Sequence, residues 1–131
     1  KWWGEKRCFL CCGMVDDVDS VRVDLEPSVK PTHLEDARKT SLLDNTFDCI
    51  IIDPPYTKEL AESLYKKGNV FSSINAFNKE AVRICQTGGL IINLSYEVPK
   101  RPKDCDLIAC CGVYQTISVA HIRCLAVWRK K

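Results

Sequence analysis

The chain is poor in the residues that announce a metal centre. Only two of its 131 residues are histidine, His33 and His121, and they stand apart. Cys8 and Cys11 have Cys-x-x-Cys spacing, but no second such pair answers them, so no metal site is expected. No apolar run approaches the ~20 residues of a membrane span, and no signal-peptide pattern opens the chain. With six glycines and six prolines it holds no low-complexity linker, and no internal repeat is visible. Charge of one sign is also missing: 19 Lys and Arg against 17 Asp and Glu leave +2, which argues neither for nor against nucleic acid. Lys1-Trp2-Trp3-Gly4 already reads as structure, with Trp2 and Trp3 packing the edge of the sheet.

What is present is the composition of a globule, 46% apolar and 27% charged, in a length that suits one domain over 1–131. The one abundance is cysteine, nine residues. Most fall in apolar runs, at Cys8, Cys11, Cys12, Cys49, Cys110, Cys111 and Cys124, and are read as small buried hydrophobes. An odd number of such thiols fits a reducing compartment, and a cytoplasmic location is expected.

Period-2 and fully apolar runs bounded by turn residues predict strands over Arg7–Cys12, Val21–Asp24, His33–Glu35 and Phe47–Ile52. Leu43-Asp44-Asn45-Thr46 is the turn before the last of these. A short helix is predicted over Lys58–Tyr65 and a longer one over Ser73–Thr87, where Ile74, Phe77, Ala81, Val82 and Cys85 share a face. Ser72 or Ser73 would cap its start and Gly88-Gly89 would stop it. Leu90–Leu94 is another strand, Ser95–Asp104 a polar loop, and Leu107–Gln115 with Ile122–Trp128 an antiparallel hairpin. Strands alternating with helices imply an α/β fold with a mainly parallel sheet.

In such sheets ligands bind outside the carboxyl ends of the strands. The predicted exits there carry Gly13, Asp24, Asp36 and Asp53, a set suited to a nucleoside-like ligand. The last exit is abrupt. In Ile50-Ile51-Ile52-Asp53-Pro54-Pro55-Tyr56 two prolines end the ladder and leave a carboxylate and a ring at the edge of the sheet.

Asp53-Pro54-Pro55-Tyr56 matches the (Asp/Asn/Ser)-Pro-Pro-(Tyr/Phe/Trp) motif, and on it the chain resembles the S-adenosylmethionine-dependent amino-methyltransferases of the Rossmann-like class. "VRVDLEP", "LEDARKTSLLDNTFDCIIIDPPY" and "EAVRICQTGGLIINLS" are similar to further segments of that family. The resemblance implies S-adenosylmethionine as cofactor. It implies that Asp24, beside Leu25, accepts hydrogen bonds from the ribose, and that Asp36 and the backbone at Ala37 face the adenine. Cys12, Gly13 and Met14 would lie beside the methionine part. Asp53, which would also border the cofactor, and the carbonyl of Pro54 would hold the amino group to be methylated. Pro55 completes the rigid turn and Tyr56 would stack on the acceptor. Against the family pattern, the first motif is a single glycine, and the few residues between Gly13 and Val21 leave the first helix reduced.

The acceptor so implied is an exocyclic nucleobase amine, adenine N6 before cytosine N4, in DNA before RNA. Alternatives are a protein glutamine amide, or a non-catalytic methyltransferase-like binding subunit. Lys66, Lys67, Lys100, Arg101 and Lys103 would form a basic rim beside Asp53 for phosphates. With no recognition segment in the chain, a separate specificity subunit or a homo-oligomer is expected to supply base selection.

Overall fold

The computed structural model describes residues 4–55, 74–96, 98–114 and 122–131. Trp2, Trp3, Tyr56, Lys66, Lys67, the predicted helix over Lys58–Tyr65 and the capping serines lie outside the described residues.

Seven strands form one mixed sheet: β1 (Arg7–Leu10), β2 (Val21–Asp24), β3 (His33–Leu34), β4 (Phe47–Ile52), β5 (Cys85–Ser95), β6 (Cys105–Tyr114) and β7 (Ile122–Lys130), in the order β3-β2-β1-β4-β5-β7-β6. β3, β2, β1, β4 and β5 run parallel, and β7 is antiparallel to both of its neighbours, β5 and β6. The predicted parallel sheet with a C-terminal antiparallel hairpin is thus observed. Residues 11–20 between β1 and β2 contain turns and no helix, as their shortness requires.

The helix α1 (Ile74–Ile84) packs on one face of the sheet. Phe77, Ala81 and Ile84 meet Leu10, Ile50, Ile52 and Ile91 there, all but fully buried. On the opposite face Cys49, Leu90 and Val127 form a smaller cluster with Ile51, Ile92 and Leu125.

Of the boundaries that differ from the sequence expectation, two have a clear local cause. β1 ends at Leu10 rather than Cys12 because Cys11 takes φ 61°, leaving the extended region. α1 ends at Ile84, before Gly88-Gly89, because its last carbonyls are already bonded: Asn45 N donates to Arg83 O at 3.0 Å and Thr46 N to Ile84 O at 2.8 Å. The two glycines lie inside β5, where the register against β4 jumps from Phe47–Cys85 to Cys49–Leu90. A side chain at residue 89 would put its Cβ 2.7 Å from Cys85 Sγ and 2.9 Å from Asp48 O, so only glycine fits.

The cysteines divide. Of the seven expected to be buried, Cys8, Cys12 and Cys49 are, Cys11 and Cys124 are half-buried, and Cys110 and Cys111 are exposed; Cys85 and Cys105 are buried as well. β6 is an edge strand, and an apolar run at an edge is not thereby covered.

Candidate functional site

Asp24 ends β2 and is buried. Its Oδ2 accepts from Gly13 N at 2.9 Å and its Oδ1 from Glu26 N at 3.0 Å. One carboxylate therefore ties the turn after β1 to the turn after β2. Gly13 at φ 49° and Cys11 at φ 61° bend the first turn so that its backbone reaches Asp24. The Asp24 backbone carbonyl in turn accepts from Glu35 N at 3.1 Å, which aligns the segment carrying Asp36.

Asp36 and Arg38 form a tight local pair. Arg38 N and Nε donate to Asp36 Oδ1 at 2.9 and 2.8 Å, and Nη2 to Oδ2 at 2.6 Å. The hydrogen bonds from Arg38 hold the Asp36 carboxyl below the usual carboxylate range.

This segment is anchored from beneath by α1. Glu80 Oε1 accepts from Thr40 N and Thr40 Oγ1, both at 2.7 Å, and from Arg83 Nη2 at 2.6 Å. Arg83 reaches on to Leu42 O at 2.7 Å and Asp44 Oδ1 at 2.6 Å. Burial pushes the Glu80 carboxyl up, but the bonds from Arg83 and Thr40 outweigh it and leave the group below its ordinary value. The result is a rigid floor under residues 36–44.

Between these exits lies a narrow pocket of about 270 Å³, counted to its open mouth. Asp24, Leu25, Asp36, Ala37 and Pro55 line it. Cys11, Arg38 and Phe77 complete the wall, and none of these three stands out in the sequence as a site residue. Phe77 belongs to the apolar stripe of α1. Burial pushes the Cys11 thiol well above its usual value, so it serves as a neutral wall.

The remaining candidates sit around this pocket. Cys12 is buried beneath the turn, its amide donating to Val23 O at 3.0 Å. Met14 is 86% exposed and is not among the lining residues. Asp53 lies one strand exit along, its amide bonded to Leu10 O at 3.4 Å, with Pro54 buried behind it. The Asp53 carboxylate is 45% exposed and meets Arg123 Nη1 of β7 at 3.5 Å. Arg123 lies 70 residues away in sequence, and its only signal was a cation within the apolar run Ile122–Trp128.

The basic residues of the polar loop are arranged differently from the expected rim. Lys100, Arg101 and Lys103 line a second groove against α1, with Lys79 and Asn78, and Asp53 is not part of it. Arg101 is tied to Cys105 O at 2.7 Å and Asp106 Oδ1 at 3.0 Å.

Strand order, the reversed β7 and the pocket at the parallel carboxyl ends together define the Rossmann-like methyltransferase fold. Solved structures of like fold include a geranyl diphosphate methyltransferase in complex with SAM, with TM-score 0.65 and 8% identity over 98% of this chain and 79% of that one. A SAM-dependent methyltransferase from Methanosarcina mazei matches with TM-score 0.63 and 9% identity, over 98% and 93% of the two chains. The yhhF protein of Escherichia coli gives TM-score 0.66 and 10% identity over 97% and 76%. At such identities the likeness is one of fold. No family model matches the chain, and no curated protein matches its sequence.

Proposed function

We propose that the chain is an S-adenosylmethionine-dependent methyltransferase acting on an exocyclic amino group of a nucleobase, adenine N6 before cytosine N4, in DNA before RNA. The observation that carries this reading is the convergence of Asp24, Asp36, Ala37 and Pro55 on one pocket, with Asp53 at the adjoining strand exit. Two of the proteins of like fold are methyltransferases, one of them solved with SAM.

The residues fit the cofactor unevenly. Each Asp24 oxygen carries one backbone hydrogen bond and has a second lone pair for a ribose hydroxyl. Leu25, Ala37 and Pro55 offer an apolar slot for a purine ring. Asp36 fits less well, since Arg38 occupies both its oxygens and would have to yield one to an adenine amine. When bound, S-adenosylmethionine supplies an electrophilic methyl group on a sulfonium.

The chain's own contribution falls to the exit of β4. An aromatic amine is a poor nucleophile because its lone pair is delocalised into the ring. Asp53 and the Pro54 carbonyl, as two acceptors for its N–H groups, favour a pyramidal nitrogen and aim it, so the gain lies in positioning and electrostatics. Arg123 steadies the Asp53 carboxylate from the side. Tyr56 would stack on the base, and a base in a duplex would have to be flipped out to reach it. Lys79, Lys100 and Lys103 would meet phosphates at the second groove.

A non-catalytic binding subunit is the second reading, favoured by the Arg38 occupancy of Asp36 and by a cysteine at the left-handed position 11. The two separate by transfer of labelled methyl groups to DNA, RNA and protein pools, alongside calorimetry of cofactor binding. Asp53→Ala is expected to fold normally, because water replaces the exposed carboxylate, and to lose roughly 100-fold or more of transfer. A folded Asp53→Ala that transfers as fast as the parent would reduce the motif to a strand exit. A parent that binds S-adenosylmethionine yet labels no pool makes the second reading correct.

A further inference from the structure

Cys110 and Cys111 are exposed on the β6–β7 hairpin, and Cys124 of the same hairpin is half-buried, packed against the core. The Sγ atoms of Cys110 and Cys124 stand 3.5 Å apart. In the ladder Cys110 faces Ala126 and Gly112 faces Cys124, which makes the two thiols diagonal neighbours on one face of the hairpin. Cys111 faces Leu125 and, by the alternation of a strand, points to the other face. The buried thiols differ in kind: burial pushes Cys8 and Cys85 up to about 12, which leaves them inert.

We propose that Cys110 and Cys124 form a dithiol pair that closes to a disulfide by exchange with a small-molecule disulfide. Bond formation must bring the sulfurs from 3.5 Å to the ~2.05 Å of an S–S bond. The order of events follows from access. Cys110 is exposed, and its thiolate attacks one sulfur of the incoming disulfide, whose S–S bond breaks and releases one thiolate. The Cys124 thiol, half-buried and raised to about 11 first by burial and then by its contact with Cys110, then loses its proton to solvent. Its sulfur attacks Cys110 Sγ and expels the second small thiol. The protein gives up two hydrogens and two electrons, and the oxidant leaves as two thiols. Contact between the sulfurs makes this second step intramolecular, which offsets the small thiolate fraction at Cys124.

Closure would add a covalent tie between the exposed edge strand β6 and β7. Incubating the full chain with oxidised glutathione and mapping peptides without reduction tests this. The expected main product is a Cys110–Cys124 bond, two hydrogens lighter than the reduced chain, reopened by dithiothreitol and accompanied by a rise in the thermal midpoint. Cys110→Ser and Cys124→Ser should each abolish it, while Cys111→Ser should leave it intact. A stable glutathione adduct on Cys110 of the unaltered chain, or a main product linking Cys111 between chains, would overturn the proposal. The mapping on the unaltered chain decides the matter without any variant, and it does not depend on methyl transfer.

Discussion

β4 and β6 are both apolar runs containing cysteine, yet one is buried along nearly its whole length and the other is exposed along nearly all of it. Composition alone does not distinguish them. Their connections do. A parallel strand is reached by a crossover, and crossovers lay α1 and the 35–46 segment over the face of β4. β6 is instead the edge strand, paired with β7 alone as its antiparallel partner, and such a pair requires no crossover. The polar groups follow the same division. The parallel half buries Asp24 and Glu80, each with more than one donor, whereas the ion pairs of the hairpin use exposed carboxylates, Asp106 with Arg101 and Lys131 near one end and Asp53 with Arg123 near the other.

If that division is right, the parallel half should be fragile to loss of a single buried carboxylate. Glu80→Ala is expected to cost about 3 kcal/mol by urea unfolding, since it strands the Thr40 amide and removes the more buried of the two carboxylates that Arg83 pairs with. Glu80→Gln should recover part of this, and a loss below about 1 kcal/mol would mean that the floor of the pocket is held by packing instead.

Asp24→Ala comes next. It removes the acceptor for Gly13 N and Glu26 N, and a stability loss of about 2 kcal/mol is expected. In the same variant, cofactor affinity measured by calorimetry should fall by roughly 1.5–3 kcal/mol. Unchanged affinity with lowered stability would keep Asp24 as a brace and remove the ribose role.

Acid separates the halves without mutation. The carboxyls of Asp36 and Glu80 are both held below their ordinary values in the folded chain, so folding there favours the ionised form. Their stabilisation is complete above the unfolded values, about 3.9 for Asp and 4.3 for Glu, and is lost as pH falls through the lower folded ones. Hydrogen exchange followed downward from pH 5 should show the 36–44 segment opening before the β6–β7 ladder. Simultaneous opening would show that the two halves are one cooperative unit. The smallest effect belongs to the hairpin: Ile108→Ser, at a side chain 48% exposed, should shift stability by no more than about 0.5 kcal/mol. A larger loss would mean that β6 is covered in solution.

The same contrast marks how far the sequence could be read. Strands of the parallel half were legible because their apolar or alternating runs stop beside Asp or Gly, and those endings led to Asp24, Asp36 and Asp53. The end of β1 was not, because nothing in "LCCG" shows that Cys11 turns left-handed. The end of α1 depends on the amides of Asn45 and Thr46, which arrive from another part of the chain. Arg123 beside Asp53 was illegible for that reason too, as was the displacement of Lys100 and Lys103 to the α1 groove. The exposure of Cys110 and Cys111 could not be read from an apolar run, since burial depends on what crosses the strand.

The position of β1 has a consequence for how the molecule is made. β1 sits between β2 and β4, so its first neighbour is synthesised soon after it and its second only when Ile52 has emerged. β4 in turn keeps an open side until β5 follows α1. A ribosome extending the chain therefore holds Cys8, Leu10 and Val23 in water while two thirds of the sheet is still unmade, and the apolar face they share closes only when α1 arrives. Non-local pairing of this kind is slow and exposes strand edges while it waits. The sheet built from β1 to β4 is thus an unfinished surface, and its completion waits on α1 and β5.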